Sequence, residues 1–215
     1  GHWWGYRNFE PTDTATNLTP WGVWIGGEEL HNNHHAFPSS AKFALRKWEF
    51  DIGWAVIQGL ASVRLAKVLR VAPSLDIRPN IHVPDTDTMR ALLAHRFQAM
   101  TDYQRNVLKP ALREEAQAAG ARLRALLPRK LRKGLVDDGR WLQPDARQQL
   151  QQWVEQRPRI RTLVEHRARL TALLEARSQN ASEALHNLQV WCREAEASGI
   201  RALQEYSARL KGYSR

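Results

Sequence analysis

Cysteine is nearly absent from this chain and long apolar runs are missing, and both shortages narrow its class. The one cysteine, Cys192, cannot close an internal disulfide, which excludes a small cross-linked scaffold and fits a reducing compartment. The apolar stretches at residues 21–27 and 52–63 fall far short of the roughly 20 residues that cross a bilayer. No glutamate stands between the clustered histidines, where Asn32 and Asn33 lie instead, so a zincin-type HExxH site is excluded. Acidic residues are outnumbered, leaving a net charge of +10, yet 25% charged and 43% apolar residues are ordinary values that exclude wholesale disorder. The imbalance is local: residues 1–72 hold seven Lys/Arg against six Asp/Glu, and residues 73–215 hold 25 against 16. Six of nine tryptophans fall in the first part, so composition divides the chain near Pro73.

Against these absences stands one dense stretch, Glu28-Glu29-Leu30-His31-Asn32-Asn33-His34-His35-Ala36-Phe37-Pro38. If it is helical, His31, His34 and His35 share one face through their i, i+3 and i+4 offsets. Imidazoles gathered this way suit iron, zinc, copper or nickel, either in adjacent positions on one ion or shared between two close ions. A hydrated helix end before Pro38 would explain one histidine better than three. Glu28 and Glu29 are candidate acceptors for imidazole N–H groups. Asp13 and Asn17, in a Thr/Pro-rich loop, either hydrogen-bond neighbouring backbone or orient an imidazole in the same manner.

Three segments carry a family resemblance: GHWWGYRNFE at 1–10, DTATN at 13–17 and GGEELHNNHHAFPSSAKF at 26–43. Together they resemble the end of the catalytic domain of membrane fatty acid desaturases, of the bacterial acyl-CoA delta-9 (stearoyl-CoA) type, over residues 1–73. HxxHH at 31–35 matches that family's third histidine box, and His2 falls on its additional upstream ligand. The resemblance implies an all-α fold and two iron ions held by His2, His31, His34 and His35 together with histidines of two earlier boxes. It further implies a fatty acyl-CoA substrate, molecular oxygen, a ferredoxin-like or cytochrome-type electron donor, and a bacterial inner membrane setting with the catalytic part facing the cytoplasm. An unactivated methylene has no acidic proton, so a side-chain acid or base cannot perform this chemistry and a metal with oxygen is required. Arg7, in GYRNF, becomes a candidate contact for the CoA head group, or for a carboxylate. The two earlier boxes and the apolar hairpins have no counterpart here. The chain therefore reads as the C-terminal part of a longer enzyme, inactive by itself.

The remaining chain reads as helix. Trp3 and Trp4 suit a water–lipid boundary or local packing. Residues 39–71 suggest a helix lying on the membrane or on the catalytic body, with Arg64, Lys67 and Arg70 at its C-terminal end. Pro73, Pro79 and Pro84 mark residues 73–84 as a linker between a 1–72 domain and an 85–215 domain. Beyond it Met89, Leu92, Leu93, Phe97, Met100 and Tyr103 follow a helical period, with Asp85 or Asp87 as cap. Pro110 and Pro128 divide later segments, Pro144 and Pro158 open two more, and Ser198-Gly199 precedes a last short helix. A soluble antiparallel helical bundle follows. The basic run at 129–133 reads as solvated surface, with phosphate or anionic lipid as its functional alternative. The ending WCREAEASGIRALQEYSARLKGY faintly resembles the helical C-terminus of some bacterial transposases. A non-enzymatic basic module binding nucleic acid or protein is thus the competing function, with nucleic acid the less favoured partner. His82, His95, His166 and His186 show no ligand spacing.

Overall fold

A computed structural model describes residues 1–11, 13–120, 122–136, 139, 142–176 and 180–214. The chain is helix-rich, with only two-residue strands among the described residues, and it divides into two compact units, Gly1–Ser74 and Leu75–Arg215.

In the first unit, β1 (Trp21–Gly22) pairs in parallel with β2 (Phe50–Asp51). Gly27, at φ 101, leads into a single 3-10 turn at Glu28–Leu30 and then into α1 (His31–Ala36). A side chain at Gly27 is doubly disfavoured: its φ is left-handed, and a Cβ would lie 2.6 Å from Asp51 Oδ1. Asp51 also caps α2 (Ile52–Ser62) by accepting the Trp54 N–H. No residue of α2 is buried.

The cations expected at the end of this helix lie beyond it. Arg64 takes φ 61, Leu65 N–H bonds Leu60 O and Arg64 N–H bonds Ala61 O, a Schellman closure that stops the helix before Lys67 and Arg70. The following chain is tied back by Ala41 N–H to Arg70 O and by Ala72 N–H to Ser40 Oγ. No helix among the described residues is long and apolar enough to cross a membrane.

The second unit opens with β3 (Asp76–Ile77), antiparallel to β4 (Tyr213–Ser214) at the far end of the chain. Then come α3 (Thr86–Ala94), α4 (Arg96–Tyr103), a π turn at Gln104–Leu108, α5 (Lys109–Ala118), α6 (Leu123–Leu126) and α7 (Arg129–Gly134). Four longer helices complete it apart from β4: α8 (Pro144–Glu155), α9 (Pro158–Glu175), α10 (Ala181–Ala197) and α11 (Arg201–Lys211). Leu92, Tyr103, Leu163, Leu170, Leu188, Leu203 and Leu210 are wholly buried in one core. Three of its buried rings are paired with backbone: Tyr103 O–H donates to Leu163 O at 2.7 Å, Tyr206 O–H to Ala99 O at 2.9 Å and Trp191 Nε1–H to His166 O at 2.9 Å, while Tyr213 O–H donates to the Asp102 carboxylate.

Three expectations change here. From Leu75 onward the proline-punctuated segment is ordered within the second unit: Arg78 reaches both oxygens of Asp85 at 2.9 Å, and Gln189 donates to Pro84 O. Pro110 does not divide a helix, because the widened π turn directly before it displaces the carbonyls its ring would otherwise strike. Leu93 is exposed because the chain turns at His95, between α3 and α4, and the helical phase restarts there.

Residues 75–215 should therefore melt cooperatively as a helical protein by circular dichroism, and Leu188→Ala should cost about 2–5 kcal/mol in denaturant unfolding. A chain starting at residue 85 should melt lower, having lost β3 and the Arg78 brace on Asp85. That brace, followed by the Thr88 N–H, holds the Asp85 carboxyl well below its usual range. Its contribution is thus present above the usual carboxylate range and lost as pH falls through the lowered value. Absence of a cooperative transition in residues 75–215 would refute the division.

Candidate metal centre

α1 is only six residues long, too short to hold itself together, and its inward face is polar. Asn32 and Asn33 are essentially inaccessible, and every amide position of both is used. Asn32 Oδ1 accepts from the N–H groups of Asn8 and Phe9, and its Nδ2 donates to Phe9 O and Ala15 O. Asn33 Oδ1 accepts from the side chains of Asn8 and Asn17, and its Nδ2 donates to Phe43 O and Glu49 Oε2. Glu49 also accepts from Tyr6 O–H, Asn8 Nδ2 and the N–H groups of Leu45 and Arg46. This network stitches residues 6–17 and 43–49 to the helix and turns its histidines outward.

His2, His31 and His35 each place one ring nitrogen within 4.8 Å of the others, the one such group of three among the described residues. Each ring is tied at Nδ1: His31 to Glu28 Oε2 at 3.3 Å, His35 to Asp13 Oδ2, and His2 to Thr14 Oγ1 at 3.3 Å. With the proton held at Nδ1, the lone pair sits at Nε2, the arrangement of a metal-ligating imidazole with an outer acceptor. His31 Nε2 and His2 Nε2 stand 3.2 Å apart. At that distance one ring can donate to the other, or both lone pairs can meet one cation. Two nitrogens at about 2.1 Å from one ion in adjacent positions lie about 3 Å apart, so the spacing fits a shared metal.

Burial is the main reason that His31 is held below its ordinary pKa, opposed by the Glu28 bond and aided by the charges of His35 and His2. The neutral, ligating form is favoured. Burial pushes the Asp13 carboxyl up, but the Ala15 N–H and the His35 ring outweigh it, and the net shift is downward.

His34 departs from the group. At about 100° per residue, positions 34 and 35 diverge by that angle. The His34 ring lies 6.3 Å from His31 and packs on Phe43 at 4.7 Å, and its Nδ1 is buried with no hydrogen-bond partner. The box thus presents two donor directions, one shared by His31 and His35 and the other held by His34.

The remaining candidates separate. Glu28 and Asp13 touch histidines, whereas Glu29 turns inward to the N–H groups of Trp24 and Ile25, and Asn17 bonds Asn33. Arg7 donates to the carbonyls of Phe9, Pro11 and Asp13 and pairs with Glu10, so it shapes the loop that presents Asp13 rather than reaching outward to a head group. Sequence reading missed Asn8, Asn32, Asn33, Glu49 and Thr14. The signal for two of them was present: with histidines at 31, 34 and 35 facing out, the helical phase turns positions 32 and 33 inward, where amides must be bonded.

A 72-residue stretch is 44% identical to the sn-2 palmitoyl-lipid 9-desaturase of Nostoc sp. (strain 36), covering 34% of this chain and 25% of that protein. Delta-9 acyl-lipid desaturase 1 of Arabidopsis thaliana is 43% identical over 65 residues, 30% of this chain and 21% of that one. The icosanoyl-CoA 5-desaturase of Limnanthes douglasii is also 43% identical over 65 residues, 30% of this chain and 18% of that one. The chain spans about a quarter or less of the length of these curated relatives. No family model and no solved structure matches it. About a third of the chain is thus similar to fatty acid desaturases, whose names span lipid and CoA carriers and positions 9 and 5.

Cobalt titration followed by absorbance tests the cluster. His2→Ala, His31→Ala or His35→Ala should each weaken binding at least about tenfold, and Asp13→Asn by a similar factor. His34→Ala should leave this site within about threefold. Equal losses across all four histidines would mean that His34 belongs to the same ion.

Proposed function

We propose that this chain is part of an oxygen-dependent fatty acyl desaturase, in which His2, His31, His34 and His35 supply part of the cage for two iron ions. The observation that carries this reading is the convergence of three imidazoles, each tied at Nδ1 by its own acceptor, beside a fourth whose buried Nδ1 has no partner. A histidine-held iron pair, when bound, supplies oxygen activation strong enough to take hydrogen from an unactivated methylene. Four imidazoles are fewer donors than two ions need, so further ligands would come from elsewhere in the whole protein.

The chain's own residues would hold and orient. Glu28 and Asp13 keep the ring protons of His31 and His35 at Nδ1 and the lone pairs aimed inward, Thr14 holds the His2 ring, and Arg7 keeps Asp13 in place. The Asn32/Asn33 network fixes the pitch of the helix, so that His31 and His35 face one side and His34 another. In the proposed reaction a saturated acyl chain on a CoA or lipid carrier loses two hydrogens. Oxygen leaves as two waters, with two electrons supplied by a ferredoxin-like or cytochrome-type donor and two further protons taken from solvent. A membrane setting, with the histidines on the aqueous side, is supported by the exposure of Trp3, Trp4, Trp21, Trp24 and Trp48 and by α2, which buries nothing.

The test is the fatty acid profile, by gas chromatography, of cells expressing the intact gene product. Double bonds should appear with the natural sequence and fall at least about a hundredfold with His31→Ala, His34→Ala or His35→Ala, since nothing nearby replaces a lost ligand. His34→Ala should abolish desaturation while sparing the cobalt site. Full desaturation in any two of these three variants would overturn the assignment.

A further inference from the structure

Between Glu115 and Asp137 the sequence holds no acidic residue and six cations, Arg122, Arg124, Arg129, Lys130, Arg132 and Lys133. Several surface cations elsewhere in the second unit are paired, among them Arg157 with Glu115, Arg159 with Glu114, Arg169 with Glu194, Arg201 with Glu205 and Lys211 with Glu196. Arg129, Lys130 and Lys133 are exposed and make no ion pair among the described residues. They also share a face, at i, i+1 and i+4.

That face is held outward by the packing behind it. Leu127 and Leu135, on either side of α7, are buried in the core, and Leu131 packs partly against it. Gly134 meets α8 so closely that a Cβ would lie 2.5 Å from Leu142 and 2.9 Å from Leu150. A merely solvated charge run needs no such clamp. Fixing three cations costs Coulomb repulsion, which an anionic surface removes.

We propose that α7 and its flanks form a docking face for anionic phospholipid head groups. The large exposed apolar residues described in this unit are Ile77, Val83 and Leu93, so among the described residues the basic stretch offers none to insert into lipid or to stack on a base. Recognition there is by charge alone. A duplex nucleic acid draws specificity and affinity from six to ten phosphate contacts along a track. Arg129 to Lys133 rise only about 6 Å, a span that suits a local cluster of head groups. The choice of lipid also rests on the proposed membrane setting of the first unit, whose exposed tryptophans would bring the tethered basic face to the same surface.

The experiment is flotation of the full chain with vesicles of phosphatidylcholine alone and of phosphatidylcholine mixed with phosphatidylglycerol, at low and high salt. The tryptophan surface contributes to both kinds of vesicle, so the basic face is read from the difference. Binding should be at least about tenfold tighter on the anionic vesicles, and the gain should shrink with salt. The triple variant Arg129→Glu, Lys130→Glu, Lys133→Glu should bring the two vesicles within about twofold. The corresponding Gln triple should fall between, and a thermal melt reads whether each variant stays folded. His31→Ala should keep the full preference, which separates this proposal from the desaturase reading. No preference for anionic vesicles, a preference that survives in the Gln triple, or tighter binding to duplex DNA than to the anionic vesicles would overturn it.

Discussion

Glu49 and the buried side chains of Asn8, Asn17, Asn32 and Asn33 form the polar network on which the first unit depends. A six-residue helix cannot be stable by itself, and the first unit supplies few large buried side chains, chiefly Phe9 and Leu30, to pin it. Hydrogen bonds do the pinning instead. Burying an amide without partners costs several kcal/mol, so a network in which Asn32 and Asn33 use all four positions each is stable only in one arrangement. That arrangement draws the chain start, the loop carrying Asp13 and the stretch before β2 around the histidine helix. His2 stands near His31 with the chain start held by Thr16 N–H on Gly1 O and by the Tyr6–Asn17 pair, whose Asn17 bonds Asn33.

The two units solve burial in opposite ways. The second encloses leucines and aromatic rings in a core of its own, where Tyr103, Tyr206 and Trp191 reach backbone carbonyls across helices. The first leaves five tryptophans in the open together with Val56 and Leu60 of α2, a helix with no fully buried residue. Exposed apolar area of this kind marks a surface made to be covered. The histidine cluster and that surface lie in the same unit, which is the physical link between the proposed metal chemistry and an acyl substrate.

Much of the second unit was legible in the chain, because leucine spacing, Pro144 and Pro158 at helix starts, Asp85 as a cap and Gly199 as a break are local signals. Those that failed were local signals overruled from a distance. Pro110 reads as a breaker, but a π turn absorbs it. The prolines of residues 73–84 read as linker, but from Leu75 the chain packs in the second unit, with Ile77 opposite Tyr213. Arg64 looked like a cation on a helix end and is instead the left-handed residue that ends the helix.

By itself the sequence determined the cluster of imidazoles at 31, 34 and 35, Glu28 and Asp13 as candidate acceptors beside it, the uneven charge and the helical character of the tail, because these follow from residue type and periodicity. Only the tertiary structure decided that His34 packs on Phe43 and stands outside the group formed by His2, His31 and His35, that Arg7 is engaged in its own loop, that Glu29 turns inward, and that His2 joins across 29 residues. Direction around a helix is a matter of phase, but which phase is buried depends on partners far off in the chain. Here those partners are asparagines and a glutamate, whose polarity hides them from any reading that looks for the interior among apolar residues.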